Sequence, residues 1–226
     1  MTSTTKSTAR LSGVHSYILL DRTGSMSGIW DEALGSVNAY AHSVGEKEKD
    51  EADIETVVNL AVFDSQNGLE FDVLRRKVNA KAWREVTNDE ARPRGMTPLF
   101  DAIGRLVSMA ESDGPEKAVL VIMTDGHENA SREMTSVGAK VALDRARSRG
   151  WEVVFLGAEF ANFSDAQSVG VGHERSMAFS HGRSRTVMYA VGKKSRGYAL
   201  RGEDVVFDQS DRECAEEEDV KRRKGS

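Results

Sequence analysis

The sequence is short of the features that mark membrane, disulfide-scaffold and nucleic-acid-binding proteins. Cys214 is the single cysteine, so no disulfide can form within the chain, which fits a reducing compartment. The longest uninterrupted apolar run, Ala118 to Met123, falls far below the ~20 residues that a membrane-spanning helix needs. The opening stretch MTSTTKSTARLSG lacks the apolar segment of a secretion signal, and a cytoplasmic location is the expectation. Lys and Arg number 31 against 36 Asp and Glu, a formal net charge of −5. Nucleic-acid binding needs a concentrated basic face, and none shows, so neither nucleic acid nor membrane is expected as a partner. The histidines are scattered, and HENAS at His127 does not have the spacing of the H-E-x-x-H zinc motif. GSMSG has Met26 where a nucleophile elbow needs its serine, and VGKKS lacks the glycine and the Lys-Ser adjacency of a phosphate loop.

What the chain does have is a regular alternation of strand-like and helix-like runs. Residues 16–21 read as a buried strand, and residues 29–44 as a helix with Ala33, Leu34, Val37, Ala41 and Val44 near one face. Residues 53–64 and LEFDVLRRKV flank SQNG, a hairpin placed at one edge of the sheet. Residues 81–94 are polar and irregular, with a short helical piece around Ala82, Trp83 and Val86. Leu99, Phe100, Ile103, Leu106, Val107 and Ala110 form an apolar stripe, with Thr97 as the expected N-cap and Pro98 in the first helical position. KAVLVIMTDG is a buried strand ending at Asp125, followed by a helix over residues 135–149 stopped by Gly150. WEVVFLGAE, NFSDAQSVG, RSMAFS and RTVMYAVGKKSRGYAL continue as strand, short helix, strand and helix. The predicted fold is therefore α/β and doubly wound: a mostly parallel six-stranded sheet with one antiparallel edge strand and helices on both faces. It occupies residues 14–201 as one domain, after a polar leader over 1–13. Residues 202–226, poor in apolar side chains and blocked by charge sign, are expected to be disordered.

Three separated segments place oxygen-bearing side chains at the ends of these elements. Asp21, Thr23 and Ser25 follow the first strand in LLDRTGSMSG, Thr97 opens a helix in GMTPLFDAI, and Asp125 closes a strand in MTDG. Doubly wound sheets bring the carboxyl ends of such strands together, which is where these folds bind ligands. Hydroxyls and carboxylates without Cys or His select a hard cation, and a compact set suits Mg²⁺. Asp101, one helical turn beyond Thr97, is either a support for that site or a plain surface carboxylate.

With these three pieces in this order, the chain from about Val14 to Leu200 resembles a von Willebrand factor type A domain with a metal-ion-dependent adhesion site. The family pattern is D-x-S-x-S, then a Thr, then an Asp in a TDG-like turn. Thr23 stands where the family usually has Ser, and the hydroxyl is retained. The resemblance implies that Thr23, Ser25 and Thr97 ligate Mg²⁺ (with Mn²⁺ or Ca²⁺ as alternatives), while Asp21 and Asp125 act largely through water. It implies a non-enzymatic protein-binding module in which the metal accepts an Asp or Glu from a protein partner, with an AAA+ ATPase or an intracellular assembly among the candidates. Arg22, Met26, His127 and Glu128 are expected on the rim, where they would tune partner choice. Two alternatives stand beside this reading: an Mg²⁺-dependent phosphohydrolase of the haloacid-dehalogenase type, and a scaffold with a vestigial site. The acidic run Glu216 to Asp219 is a further expectation, as a mock ligand for a neighbouring molecule's metal.

Overall fold

A computed structural model of the chain describes residues 13–158 and 163–224. The leader, apart from Gly13, lies outside the described residues. Strands β1 (Val14–Asp21), β2 (Thr56–Ser65), β3 (Leu69–Asn79), β4 (Ala118–Thr124), β5 (Glu152–Ala158) and β6 (Ser176–Phe179) form one sheet in the order β3-β2-β1-β4-β5-β6. All neighbours are parallel except β2 and β3, the hairpin at the edge. Helices α1 (Trp30–Gly45) and α5 (Ser184–Arg201) pack on one face; α2 (Leu99–Asp113), α3 (Ser136–Ser148) and the short α4 (Phe163–Ser168) lie on the other.

The period-2 geometry of strands explains why the central ones are apolar throughout. Val14, Ile18 and Leu20 of β1 face the core under α1 and α5, while Tyr17 and Leu19 face the core under α2 and α3. β4 divides the same way, with Val119, Val121 and Met123 on one side and Leu120 and Ile122 on the other. The chain leaves β1 and β4 in opposite directions across the sheet, so the two adjacent strands frame the crevice at their carboxyl ends.

Two expectations are corrected. Thr97 does not cap α2: Pro98 occupies the cap position, and the helix's first amides are satisfied from another loop. Phe100 N–H donates to the Glu128 carboxylate and the Ser131 hydroxyl, at 3.0 and 3.1 Å, and Asp101 N–H donates to Ser131 at 3.2 Å. The charged C-terminal segment, expected to be disordered, is folded. It forms α6 (Gln209–Ala215), opened by an Asp208/Asp211 capping box, and α7 (Glu217–Lys224). Val205, Phe207, Ala215 and Val220 are buried.

This segment also covers the free edge of β6. Ala178 N–H donates to Glu217 Oε1 at 3.0 Å, Ser180 N–H to the Ala215 carbonyl at 2.9 Å, and Arg212 Nη1 to the Ser176 carbonyl at 3.3 Å. Glu217, fully buried, is paired with Arg212 at 2.9 Å. The charge blocks are thus spent on the sheet edge and on each other. Glu216 pairs with Arg183, Glu218 with Lys221 and Asp219 with Arg222.

Candidate metal centre

At the end of β1 the chain makes a single 3₁₀ turn over Gly24–Gly28. Thr23 N–H donates to Asp21 Oδ1 at 2.7 Å, folding the turn back on the strand end. The other carboxylate oxygen of Asp21 accepts the Thr124 hydroxyl at 2.6 Å. The Thr23 and Ser25 hydroxyls lie 3.0 Å apart, and Ser25 donates to Asp125 Oδ1 at 2.7 Å. Thr97 arrives from the loop before α2. Its N–H donates to Asn129 Oδ1 at 2.9 Å, and its carbonyl accepts Asn129 N–H at 3.0 Å. Those two bonds fix the residue by its backbone, and among the described residues the Thr97 hydroxyl makes no hydrogen bond.

Gly126 shows where these groups converge. A Cβ on that residue would lie 3.1 Å from Thr97 Oγ1, 3.4 Å from Ser25 Oγ and 3.7 Å from Asp21 Oδ2. Oxygens from the turn after β1 and from the loop before α2 therefore border one small space beside Gly126, which a side chain there would crowd. Asp21, Thr23, Ser25, Thr97 and Asp125 are all brought together, as their positions at element ends require.

The electrostatics of the group are unbalanced. Asp21 is fully buried, and burial pushes its carboxyl up to about 7 against the opposing donors Thr124 and Thr23, with Asp125 adding to the rise. Burial raises Asp125 as well, in spite of the Ser25 hydroxyl. Among the described residues neither acid is paired with a cationic side chain. Two desolvated carboxylates and three hydroxyls facing one space fit a hard divalent cation, which would supply the missing positive charge. No cluster of three or more His, Cys, Asp or Glu side chains is placed to hold a metal among the described residues, so the fit depends on the hydroxyls as much as on the acids.

The expected rim is only partly on the surface. Met26 is fully buried in the core under α1, because the 3₁₀ turn points it inward. Arg22 is 4% exposed and is held by Asp64 and Asp72, so it is an internal cation and not a partner contact. His127 is exposed beside Asp165. Glu128 is half-buried, accepting Ala130 and Ser131 amides as well as Phe100, so it shapes the loop. Asp101 is no surface carboxylate: it is 5% exposed and accepts the backbone amides of Arg132, Glu133 and Met134. Thr124 and Asn129 were not anticipated from the sequence. Thr124 was legible in principle, since pairing Leu20 with Met123 puts Thr124 beside Asp21.

No protein-family model matches the sequence, and no characterised protein matches it by sequence similarity. Solved structures do match by shape. The von Willebrand factor domain of the type V pilus tip protein Mfa5 from Porphyromonas gingivalis aligns over 85% of this chain and 98% of its own, with TM-score 0.63 and 9% identity. Manganese-loaded TRAP protein of Plasmodium vivax aligns over 82% and 74%, with TM-score 0.59 and 15% identity. A von Willebrand factor type A structure from Catenulispora acidiphila aligns over 82% of this chain, with TM-score 0.57 and 12% identity. The chain spans 43% of the length of that last protein. The fold is that of a von Willebrand factor type A domain.

Proposed function

We propose that the chain is a non-enzymatic, divalent-metal-dependent protein-binding module with a metal-ion-dependent adhesion site. Mg²⁺ would be held by Thr23, Ser25 and Thr97, with Asp21 and Asp125 acting largely through water; Mn²⁺ or Ca²⁺ are alternatives. The observation that carries this reading is the convergence of Thr97, Ser25 and Asp21 on the space beside Gly126, at the crevice where β1 and β4 end. The manganese-loaded state of the Plasmodium vivax protein with the same fold supports a divalent ion of this kind. Neutral hydroxyls donate little charge, so the bound ion stays electron-poor and an acidic side chain from a partner completes its coordination. Such a contact is strengthened by the low local dielectric and weakened by the water stripped from both ions.

A haloacid-dehalogenase reaction needs an acid/base aspartate two residues after the first. Thr23 stands there, and Asp125, which reaches that turn from the end of β4, is already the acceptor for Ser25. The geometry therefore favours binding. A partner of the pilus or adhesin kind fits the neighbours in fold, and an AAA+ ATPase or other intracellular assembly remains the expectation from the sequence.

The test is a titration of the Mn²⁺-loaded chain with acetate, followed by water-proton relaxation. A carboxylate that enters the coordination sphere displaces water and lowers the relaxivity. An unchanged relaxivity in a chain that holds Mn²⁺ would rule out the carboxylate-acceptor role.

A further inference from the structure

Asp64, at the end of β2, is fully buried although it belongs to neither the core nor the cluster of metal-site oxygens. Its Oδ1 accepts Arg22 Nε at 2.7 Å and lies 2.7 Å from Arg22 Nη2; its Oδ2 accepts Arg94 Nε at 3.1 Å. Arg22 sits between Asp21 and Thr23, and Arg94 lies three residues before Thr97. One carboxylate thus grips both hydroxyl-bearing loops.

The backbone joins the same pieces. Arg94 N–H donates to the Arg22 carbonyl at 2.8 Å, and Gly24 N–H to the Gly95 carbonyl at 3.2 Å. Ser65 and Met96 exchange two bonds of 2.9 Å each. Gly95 makes the close approach possible. Its φ is +70°, and a Cβ there would lie 2.4 Å from the Ser65 carbonyl and 2.9 Å from Asp64 Oδ2.

We propose that Asp64 is a positioning residue of the metal centre: through Arg22 and Arg94 it sets the Thr23/Ser25 turn and the Thr97 loop at the separation that binds the ion. This rests on the metal-site reading above. Asp72, 2.7 Å from Arg22 Nη2, completes the group, so two cations balance two anions beside the expected dication. Residues that orient ligands in this way typically cost about 10–100-fold in metal affinity when changed.

Charge and geometry predict different signs, which separates a positioning role from simple electrostatics. Arg94→Met removes a cation near the metal. Electrostatics alone would tighten Mn²⁺ binding, whereas loss of the clamp weakens it. The experiment is Mn²⁺ titration of the whole chain by calorimetry, with electron paramagnetic resonance of the bound ion, for native protein, Asp64→Asn, Arg94→Met and Arg94→Lys. The expected result is about tenfold weaker binding with a changed spectrum in Asp64→Asn and Arg94→Met, and partial rescue in Arg94→Lys. Arg94 is half-exposed, so its variants fold even if Asp64→Asn does not. Native binding that persists undiminished in the folded variants, or that tightens in Arg94→Met, overturns the positioning role alone. A native chain that binds no Mn²⁺ overturns the metal-site reading and this inference with it.

Discussion

Two carboxylates near opposite ends of β1 are both removed from water and respond in opposite ways. Asp21, at the carboxyl end of the strand, is pushed up to about 7 because burial outweighs its hydroxyl and amide donors. Asp113, at the end of α2, has a side chain only 4% exposed, and burial works to raise it too. There, however, Arg76 donates at 2.6 Å, Lys77 pairs at 2.9 Å and the Tyr17 hydroxyl donates at 2.9 Å. Together these hold the Asp113 carboxyl well below the usual range. The chain even adopts a left-handed conformation at Lys77, φ +50°, with its amide held by Asn59 at 2.8 Å. An acid neutralised by its own chain is architecture. An acid buried without a cation is where one is to be expected from outside.

The largest expected effect separates the two acids by function. Asp21→Ala should weaken Mn²⁺ binding by up to about a hundredfold in a calorimetric titration, while Asp113→Asn leaves it unchanged. Equal losses in both variants would erase the distinction. The next effect is on stability in the presence of chelator, read from thermal melts. Asp113→Asn strips partners from Arg76 and Lys77 and should cost about 1–3 kcal/mol. Asp21→Asn removes an unbalanced buried charge and should raise the melting temperature.

The pH dependence has opposite signs at the two positions. Because Asp21 is raised in the folded state, its favourable contribution to the metal-free protein is present below the unfolded value near 3.8 and is lost as pH rises through about 7. The gain in melting temperature on adding Mg²⁺ should therefore grow between pH 5 and pH 8. A gain that shrinks over that interval would contradict the account. Asp113, depressed in the folded state, contributes above its unfolded value and loses that contribution as pH falls through the folded one.

A smaller effect concerns the edges of the sheet. Arg212 and Glu217 cover β6 where a further strand would pair, so truncation after Gly202 should leave an open edge. Concentration-dependent self-association of the truncated chain by sedimentation is the expected outcome, and a strictly monomeric product would show the edge to be harmless.

Much of this molecule was legible in its sequence because apolar periodicity reports on burial. The central strands from Ser16 onward appear as continuous apolar runs and the main helices as stripes of period 3.6, and the oxygens of Asp21, Thr23, Ser25, Thr97 and Asp125 stand at the ends of those runs. What was illegible lies in charged and turn residues, whose direction no local pattern gives. Adjacency to the Thr23/Ser25 turn predicts Arg22 and Met26 on the rim, yet one feeds a buried ion pair and the other the core. Asp64 and Arg94 carry no signal of their partnership, being 30 residues apart. The C-terminal segment misled for the same reason: its charges are matched to the β6 edge and to one another, which composition cannot reveal.

The most direct test of the metal centre is calorimetric titration of the whole chain with Mn²⁺ at pH 8, native against Thr97→Val. The account predicts one ion per native chain, displaced by excess Mg²⁺, and a large loss of affinity when the Thr97 hydroxyl is gone. Absence of binding, or binding indifferent to that hydroxyl, would contradict it.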